Sequence, residues 1–200
     1  MRTLIAASLD TTTNFLTFLL YAFAKNPKIQ EQARKEVTAL LAGKDVNGLT
    51  YSDLDQMKFI HCCIKETLRM YPPFPQMARL LDSPVEIDGK WLPSGFIIRI
   101  EIFLLHHNPE IWSNPFNFDP SRFLPENTAK RDPYAFLPFG AGPKQCVAPN
   151  FAIAKAKILL AKLLHEFDIS LHQPYELRYD FCMTMAAPNN IPFQFTKRSQ

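Results

Sequence analysis

Cys146 lies in the segment Phe136-Leu-Pro-Phe-Gly-Ala-Gly-Pro-Lys-Gln-Cys146-Val-Ala-Pro149, between a turn-rich loop and a long helical stretch. Gly140, Gly142, Pro138 and Pro143 force a tight loop that can approach a flat ligand closely. The helix that follows directs its free backbone N–H groups back towards the sulfur, and those donors favour thiolate over thiol. A buried thiolate held in this way is a good axial ligand for a haem iron. An isolated cysteine is more often a buried, inert thiol, so this reading depends on what accompanies it.

Two further groups carry chemistry. In the stretch Leu54–Tyr71, Met57, Ile60, His61, Ile64 and Leu68 recur at three and four residues, the signature of an amphipathic helix. Glu66 and Arg69 are three apart on the side away from that stripe, which by spacing alone describes a solvated ion pair worth a few tenths of a kcal/mol. Near the start, Ala6-Ala7-Ser8-Leu9-Asp10-Thr11-Thr12 places an acid beside an alcohol, a pair able to pass protons. Asp10 and Thr11 are equally good helix N-caps.

In order and spacing these motifs resemble the cytochrome P-450 (haem-thiolate monooxygenase) superfamily. Its cysteine loop runs Phe, two residues, Gly, one residue, Arg, one residue, Cys, one residue, Gly. Phe139, Gly142 and Cys146 match, while Lys144 stands for the Arg and Ala148 for the last Gly. The resemblance reverses the reading of Glu66-Thr-Leu-Arg69. It implies a buried Glu–Arg pair joined by Arg122 of Asp119-Pro-Ser-Arg122-Phe123, two guanidinium forks on one carboxylate locking a helix to a loop behind the haem. It implies that Asp10 and Thr11 deliver protons on the oxygen-binding helix, with Ser8 in place of a glycine. A serine hydroxyl there can bond back one turn and loosen the helix. It also places Arg79 at a haem propionate and Lys144 facing another. Leu105-His106-His107-Asn108-Pro109 is similar to the family's His-Arg-Asp-Pro turn. The two histidines have no third ligand spaced for a metal and read as structural. Around the cysteine the chain is nearest to the microsomal branch that includes fatty-acid omega-hydroxylases.

The elements that must position these residues follow from pattern. Helices are expected over 2–24, 27–41, 54–71 and 149–167, with Asn26-Pro27 breaking the first two and Tyr71-Pro72-Pro73 ending the third. In the last helix Phe151, Ala154, Ile158, Ala161 and Leu164 should face inward, and Lys155 and Lys162 outward. Short strands are expected near 77–81, 84–87, 96–101, 168–172, 181–186 and 192–196. Glu86–Pro93 reads as a hairpin with its turn at Asp88-Gly89. The 17 prolines concentrate between Pro72 and Pro149, so the middle is loops and strands between helical flanks. The fold class expected from pattern is mainly α with small β sheets, and the resemblance implies the C-terminal (proximal) half of the cytochrome P-450 fold. On that resemblance residues 1–200 are expected to form one partial domain.

Composition agrees. A chain 47% hydrophobic and 20% charged can bury a core and is not disordered. Net charge +3 is too small to argue for nucleic acid. Cys62 and Cys63 are adjacent and no Cys-x-x-Cys exists, so zinc and disulfide frameworks fail, and a reducing cytosolic face suits the four cysteines. Met1-Arg2 and the apolar residues after it mimic a signal peptide, but Asp10 interrupts it. The uncharged run Thr11–Ala24 is short of the ~20 residues that span a bilayer.

The resemblance covers essentially the whole chain and implies haem b, NADPH acting through an electron-donating reductase, cytochrome b5 as a second donor, and an apolar small-molecule substrate. It implies an endoplasmic reticulum location on the cytosolic face, with membrane contact through an N-terminal segment ahead of this sequence. Members of the family are much longer. Without the substrate roof and the other propionate contacts, the 200 residues alone are expected to be inactive. Two alternatives stand beside this: a non-catalytic remnant that binds haem weakly or not at all, and a membrane- or partner-binding module anchored by Thr11–Ala24. Only the Ala78 region and Met183–Met185 offer substrate contacts.

Overall fold

The structure is a computed structural model that describes residues 2–181, 183–187 and 190–198. The chain begins with helix α1 (Arg2–Lys25), followed by α2 (Pro27–Leu40), α3 (Tyr51–Gln56) and α4 (Lys58–Met70). Strands β1 (Met77–Leu80), β2 (Val85–Ile87), β3 (Lys90–Leu92) and β4 (Ile97–Ile100) lead to the short α5 (Ile102–His106). A loop region with 3-10 turns and the one-turn α6 (Pro125–Thr128) precedes α7 (Pro149–Glu166). The C-terminal part holds β5 (Phe167–Leu171), β6 (Asp180–Phe181), β7 (Met185–Ala186) and β8 (Phe193–Lys197). Every sheet is an antiparallel pair: β1 with β4, β2 with β3, β5 with β8, β6 with β7. The fold is therefore mainly α with small sheets. The strand expected over 181–186 is instead two short strands, β6 and β7, paired with each other, and Cys182 lies outside the described residues.

Helix α1 joins two cores. Phe15, Leu19 and Phe23, four residues apart, enter a cluster with Val37 of α2, Ile60, Ile64 and Leu68 of α4, and Leu160 and Leu164 of α7. Phe18 and Tyr21 turn to a second cluster with Tyr71, Met185 and Ile191, where the Phe18 and Tyr71 rings stack at 4.9 Å. The first turns of α1, which carry Ile5, Ser8, Leu9 and Asp10, are exposed.

Three local decisions depart from the periodic pattern. The helix expected over 54–71 is two helices. Thr50 and Asp53 form a capping box that starts α3 early, and Met57, with ψ 75°, breaks the ladder. Helix α4 then starts without a cap of its own. The Glu36 carboxylate of α2 accepts the N–H groups of Phe59 (2.8 Å) and Ile60 (2.9 Å) instead. In α7, Phe151 and Ile158 are exposed rather than inward. The buried row is Ala156, Leu160 and Leu164, and Ile158 lies two residues from both Ala156 and Leu160, on the opposite side of the helix. Lys155 and Lys162 do face solvent, whereas Lys157 is buried with its ammonium donating to Leu54 O at 2.7 Å. The turn at Asp88 (φ 48°) and Gly89 (φ 73°) closes the β2–β3 hairpin as the dipeptide predicts.

One buried arginine ties α2 to the end of α7. Arg34 donates to the carbonyls of Leu164 and Phe167 (2.9 Å for the latter), to Gln30 Oε1 at 3.0 Å and to Asp168 at 2.5 Å. These bonds satisfy carbonyls that the end of α7 leaves free as the chain passes directly into β5.

Candidate functional site

The cysteine loop is built by its backbone. Gly140 (φ 73°) and Gly142 (φ 74°) take left-handed conformations that a side chain would strain. Gly140 N–H donates to Leu137 O at 3.1 Å, and Gly142, Pro143 and Lys144 form a 3-10 turn closed by Gln145 N–H on Gly142 O. Cys146 N–H then donates to Phe139 O at 2.8 Å, which pins the two ends of the loop together. Ala148 N–H points at Cys146 Sγ from 3.4 Å, at the mouth of α7. This is the donor that the helix start was expected to supply.

Cys146 is exposed, not buried as expected: the loop presents its sulfur outward from the surface of the chain. Ala148, where a glycine is usual in the pattern, has φ −130°, an ordinary value for an L residue. Phe139 is half-buried and packs on the core shared by α1, α2, α4 and α7. Lys144 is exposed.

In the acid–base cluster the charged side chains of Glu66, Arg69 and Arg122 are buried. Arg69 forks onto Glu66, with Nε on Oε2 and Nη2 on Oε1, both at 2.8 Å, and neither side chain is exposed. Arg122 Nε lies 3.4 Å from Glu66 Oε1, and Asp119 N–H donates to the same oxygen at 2.9 Å. The remaining guanidinium donors reach carbonyls: Arg69 those of His106 (2.8 Å) and Asn117 (3.4 Å), Arg122 that of Asn114 (3.1 Å). Burial pushes the Glu66 carboxyl up, opposed by the Arg69 fork, the Asp119 N–H and Arg122. The solvated ion pair that spacing alone would give is thus excluded. Sequence reasoning missed two members, Trp112 and Arg131. Arg131 stacks over the Trp112 ring at 3.9 Å and donates to Arg122 O at 3.0 Å. A tryptophan in a proline-rich loop was the available signal.

Asp10 and Thr11 sit within α1, so the N-cap alternative is excluded. Thr11 Oγ1 donates to Ala7 O at 2.6 Å and Ser8 Oγ to Ile5 O at 3.0 Å, each bonding back into its own helix. No hydrogen bond among the described residues joins Asp10 or Thr11 to the cysteine loop. Arg79 is half-buried on β1 and donates to Ala78 O at 2.9 Å. It shares a face of β1 with Met77, whose sulfur abuts Gly140: a Cβ there would meet Met77 Sδ at 3.1 Å. Of the residues proposed for substrate, Ala78 and Met183 are exposed, whereas Met185 is core. Both His106 and His107 are buried and structural, and no metal-binding group of three or more His, Cys, Asp or Glu occurs among the described residues.

These residues fit a haem. The sulfur is outward, one backbone donor is aimed at it, and the loop beside it carries bare glycine, with open space around Gly142. The family model of cytochrome P450 matches residues 1–194. Cytochrome P450 4F8 of Homo sapiens is 43% identical over 161 residues, 80% of this chain and 31% of its own length. Leukotriene-B4 omega-hydroxylase 3 of Mus musculus is 42% identical over 159 residues, 79% of this chain and 30% of its own length. The crystal structure of the cytochrome P450DA heme domain superposes with a TM-score of 0.91 at 30% identity, covering 98% of this chain and 43% of that one. The chain spans about a third of the length of the curated relatives it matches. A cysteine loop, a buried Glu–Arg–Arg cluster and this agreement in sequence and fold have one explanation: the chain belongs to the cytochrome P450 family.

Proposed function

We propose that this chain forms the haem-thiolate part of a monooxygenase that inserts one oxygen atom into an apolar substrate. The observation that carries the reading is the outward Cys146 sulfur with Ala148 N–H aimed at it and Cys146 N–H fixed on Phe139 O. The Ala148 N–H is a donor aimed at the sulfur and the Phe139 carbonyl fixes the backbone that carries it, so Cys146 would be the residue that ligates the haem iron. Bound there, haem b supplies the redox chemistry that activates dioxygen. Phe139 packs on the core beside the loop and its carbonyl holds the Cys146 backbone in place. Arg79 on β1 and Lys144 within the cysteine loop would neutralise the propionates of a bound haem. Glu66, Arg69 and Arg122 hold the loops behind the haem in register and touch no reacting atom.

Asp10 carries a carboxylate to the exposed part of α1, and Thr11 keeps its hydroxyl anchored on Ala7 O. In this reading the pair passes protons from solvent to the oxygen side of the haem. Electrons come from NADPH through a reductase, with cytochrome b5 as a second donor. The substrate is an apolar lipid, for which the omega-hydroxylase relative is the guide. The complete protein works at the cytosolic face of the endoplasmic reticulum. Among the described residues no helix is long and apolar enough to cross a membrane, which weighs against Thr11–Ala24 as an anchor.

Replacing Cys146 by Ser tests the centre of the proposal. The reduced CO complex of the haem-loaded protein should show the red-shifted band of thiolate ligation, and Cys146→Ser should abolish it. Survival of the band, or its loss on replacing Cys62 or Cys63 instead, would refute the assignment.

A further inference from the structure

We infer that His106 is a positioning residue for the cysteine loop, coupling it to the buried Glu66–Arg69 pair through both its backbone and its ring. This rests on the reading of Cys146 as the haem ligand. The imidazole is fully buried at the end of α5, and its Nε2 accepts the backbone N–H of Leu137 at 2.9 Å. Leu137 is the residue on which the loop is folded: its carbonyl accepts Gly140 N–H, and Phe139, two residues on, accepts Cys146 N–H. The His106 carbonyl accepts Arg69 Nη1 at 2.8 Å, from the same guanidinium that forks onto Glu66. The Phe136 ring, at the entry to the loop, packs on the imidazole at 5.2 Å. One residue therefore receives the arginine from one side and holds the loop on the other.

The tautomer argues that the ring bond is the reason for a histidine here. With Nε2 accepting, the neutral ring carries its proton on Nδ1. That buried atom has no hydrogen-bond partner among the described residues. Filling the space alone would favour an apolar side chain of similar shape, which would strand no donor. What an apolar side chain cannot do is accept from Leu137 N–H. Burial and the neighbouring Arg69 and His107 hold the ring neutral, with its pKa down at about 3, so Nε2 stays an acceptor at physiological pH.

The test compares three variants of the haem-loaded protein. His106→Gln keeps an acceptor near the Nε2 position. His106→Phe keeps the ring and removes the acceptor. His106→Asn keeps polarity but falls short of Leu137, and it serves if the Phe variant does not fold. Loss of the bond should raise amide exchange at Leu137 about fivefold in the Phe and Asn variants. It should also speed decay of the thiolate CO band to the shorter-wavelength form several-fold, with Gln restoring both towards wild type. Gln behaving like Phe and Asn, or exchange at Leu137 staying at the wild-type rate in those two, would overturn the inference. If the wild-type protein lacks the thiolate band, the ligand assignment fails, while exchange at Leu137 still reports on His106.

Discussion

The two ends of the proposed oxygen chemistry are built in opposite ways. Around Glu66, itself fully buried, the contacts reach across the chain: Arg69, one turn away in the same helix, forks onto the carboxylate, and Arg122 and the Asp119 N–H converge on it from a loop some fifty residues downstream. Around Asp10 and Thr11 every contact is local and open to solvent, a hydroxyl bonding back to its own helix. The first region is held by the rest of the fold and fails with it. The second rests on contacts within one exposed stretch of helix and can be altered without disturbing the fold. The side chains proposed to do chemistry at one end are thereby separated from those proposed to keep the cysteine loop in place at the other.

The strongest way to break that contrast is Glu66→Ala. It strands two buried guanidinium groups, and removing one member of a buried ion pair costs about 3–5 kcal/mol. The expected product is aggregated and haem-free, checked by soluble yield and haem content. A soluble, haem-loaded variant with an unchanged Tm would mean that the cluster is dispensable. Glu66→Gln, which keeps the acceptor for Asp119 N–H but loses the charge, should fall between wild type and Ala in the same assays.

A weaker and graded probe is pH. His106 has its pKa lowered from 6.5 to about 3, chiefly by burial and then by the charges of Arg69 and His107. The unfolded chain binds the proton near 6.5 and the folded chain does not. This stability is complete above 6.5 and is lost as pH falls towards 3. His61, lowered to about 4 by burial and by Lys65, Lys157 and Lys58, against an upward pull from Asp55, adds loss of the same sign. The His106 contribution should be about 1 kcal/mol over the first pH unit below 6.5, approaching about 1.4 kcal/mol per unit below that. Urea midpoints taken from pH 7 to pH 5 should fall more steeply for wild type than for His106→Gln. Parallel slopes would show that the ring titrates normally in the folded protein.

Most of this architecture could be read from residue types, and the misses share one cause. Pro27, the Asp88-Gly89 turn and the Tyr71-Pro72-Pro73 stop are decided by local backbone preference, and each lies where pattern placed it. The break at Met57 is decided by Glu36, more than twenty residues earlier in the chain, whose carboxylate gives α4 a separate start. The burial of Glu66 and Arg69 was legible only through resemblance, because their spacing equally describes a surface pair. Arg34 and Arg131 gave no local signal, since their roles depend on carbonyls and rings that only the folded chain brings to them. Phe151 and Ile158 were misplaced because α7 is apolar on more than one side, so periodicity alone did not select the buried row.

Thr11→Ala should have the smallest effect on the fold and the most specific effect on chemistry. The residue is only half-buried, and its single hydrogen bond is to Ala7 O within α1. Alanine is the better helix former, so the loss of that bond is offset and the change in stability should stay within about 0.5 kcal/mol. Haem content and the thiolate CO band should match wild type, because Thr11 makes no hydrogen bond to the cysteine loop or to the Glu66 cluster. If the hydroxyl passes protons, its loss should divert electrons from product to peroxide while NADPH consumption continues. The measurement is the ratio of product formed to NADPH oxidised in the haem-loaded protein with its reductase. A ratio equal to wild type would remove Thr11 from the proton path. A fall in haem content alongside it would show that α1 is coupled to the buried region after all.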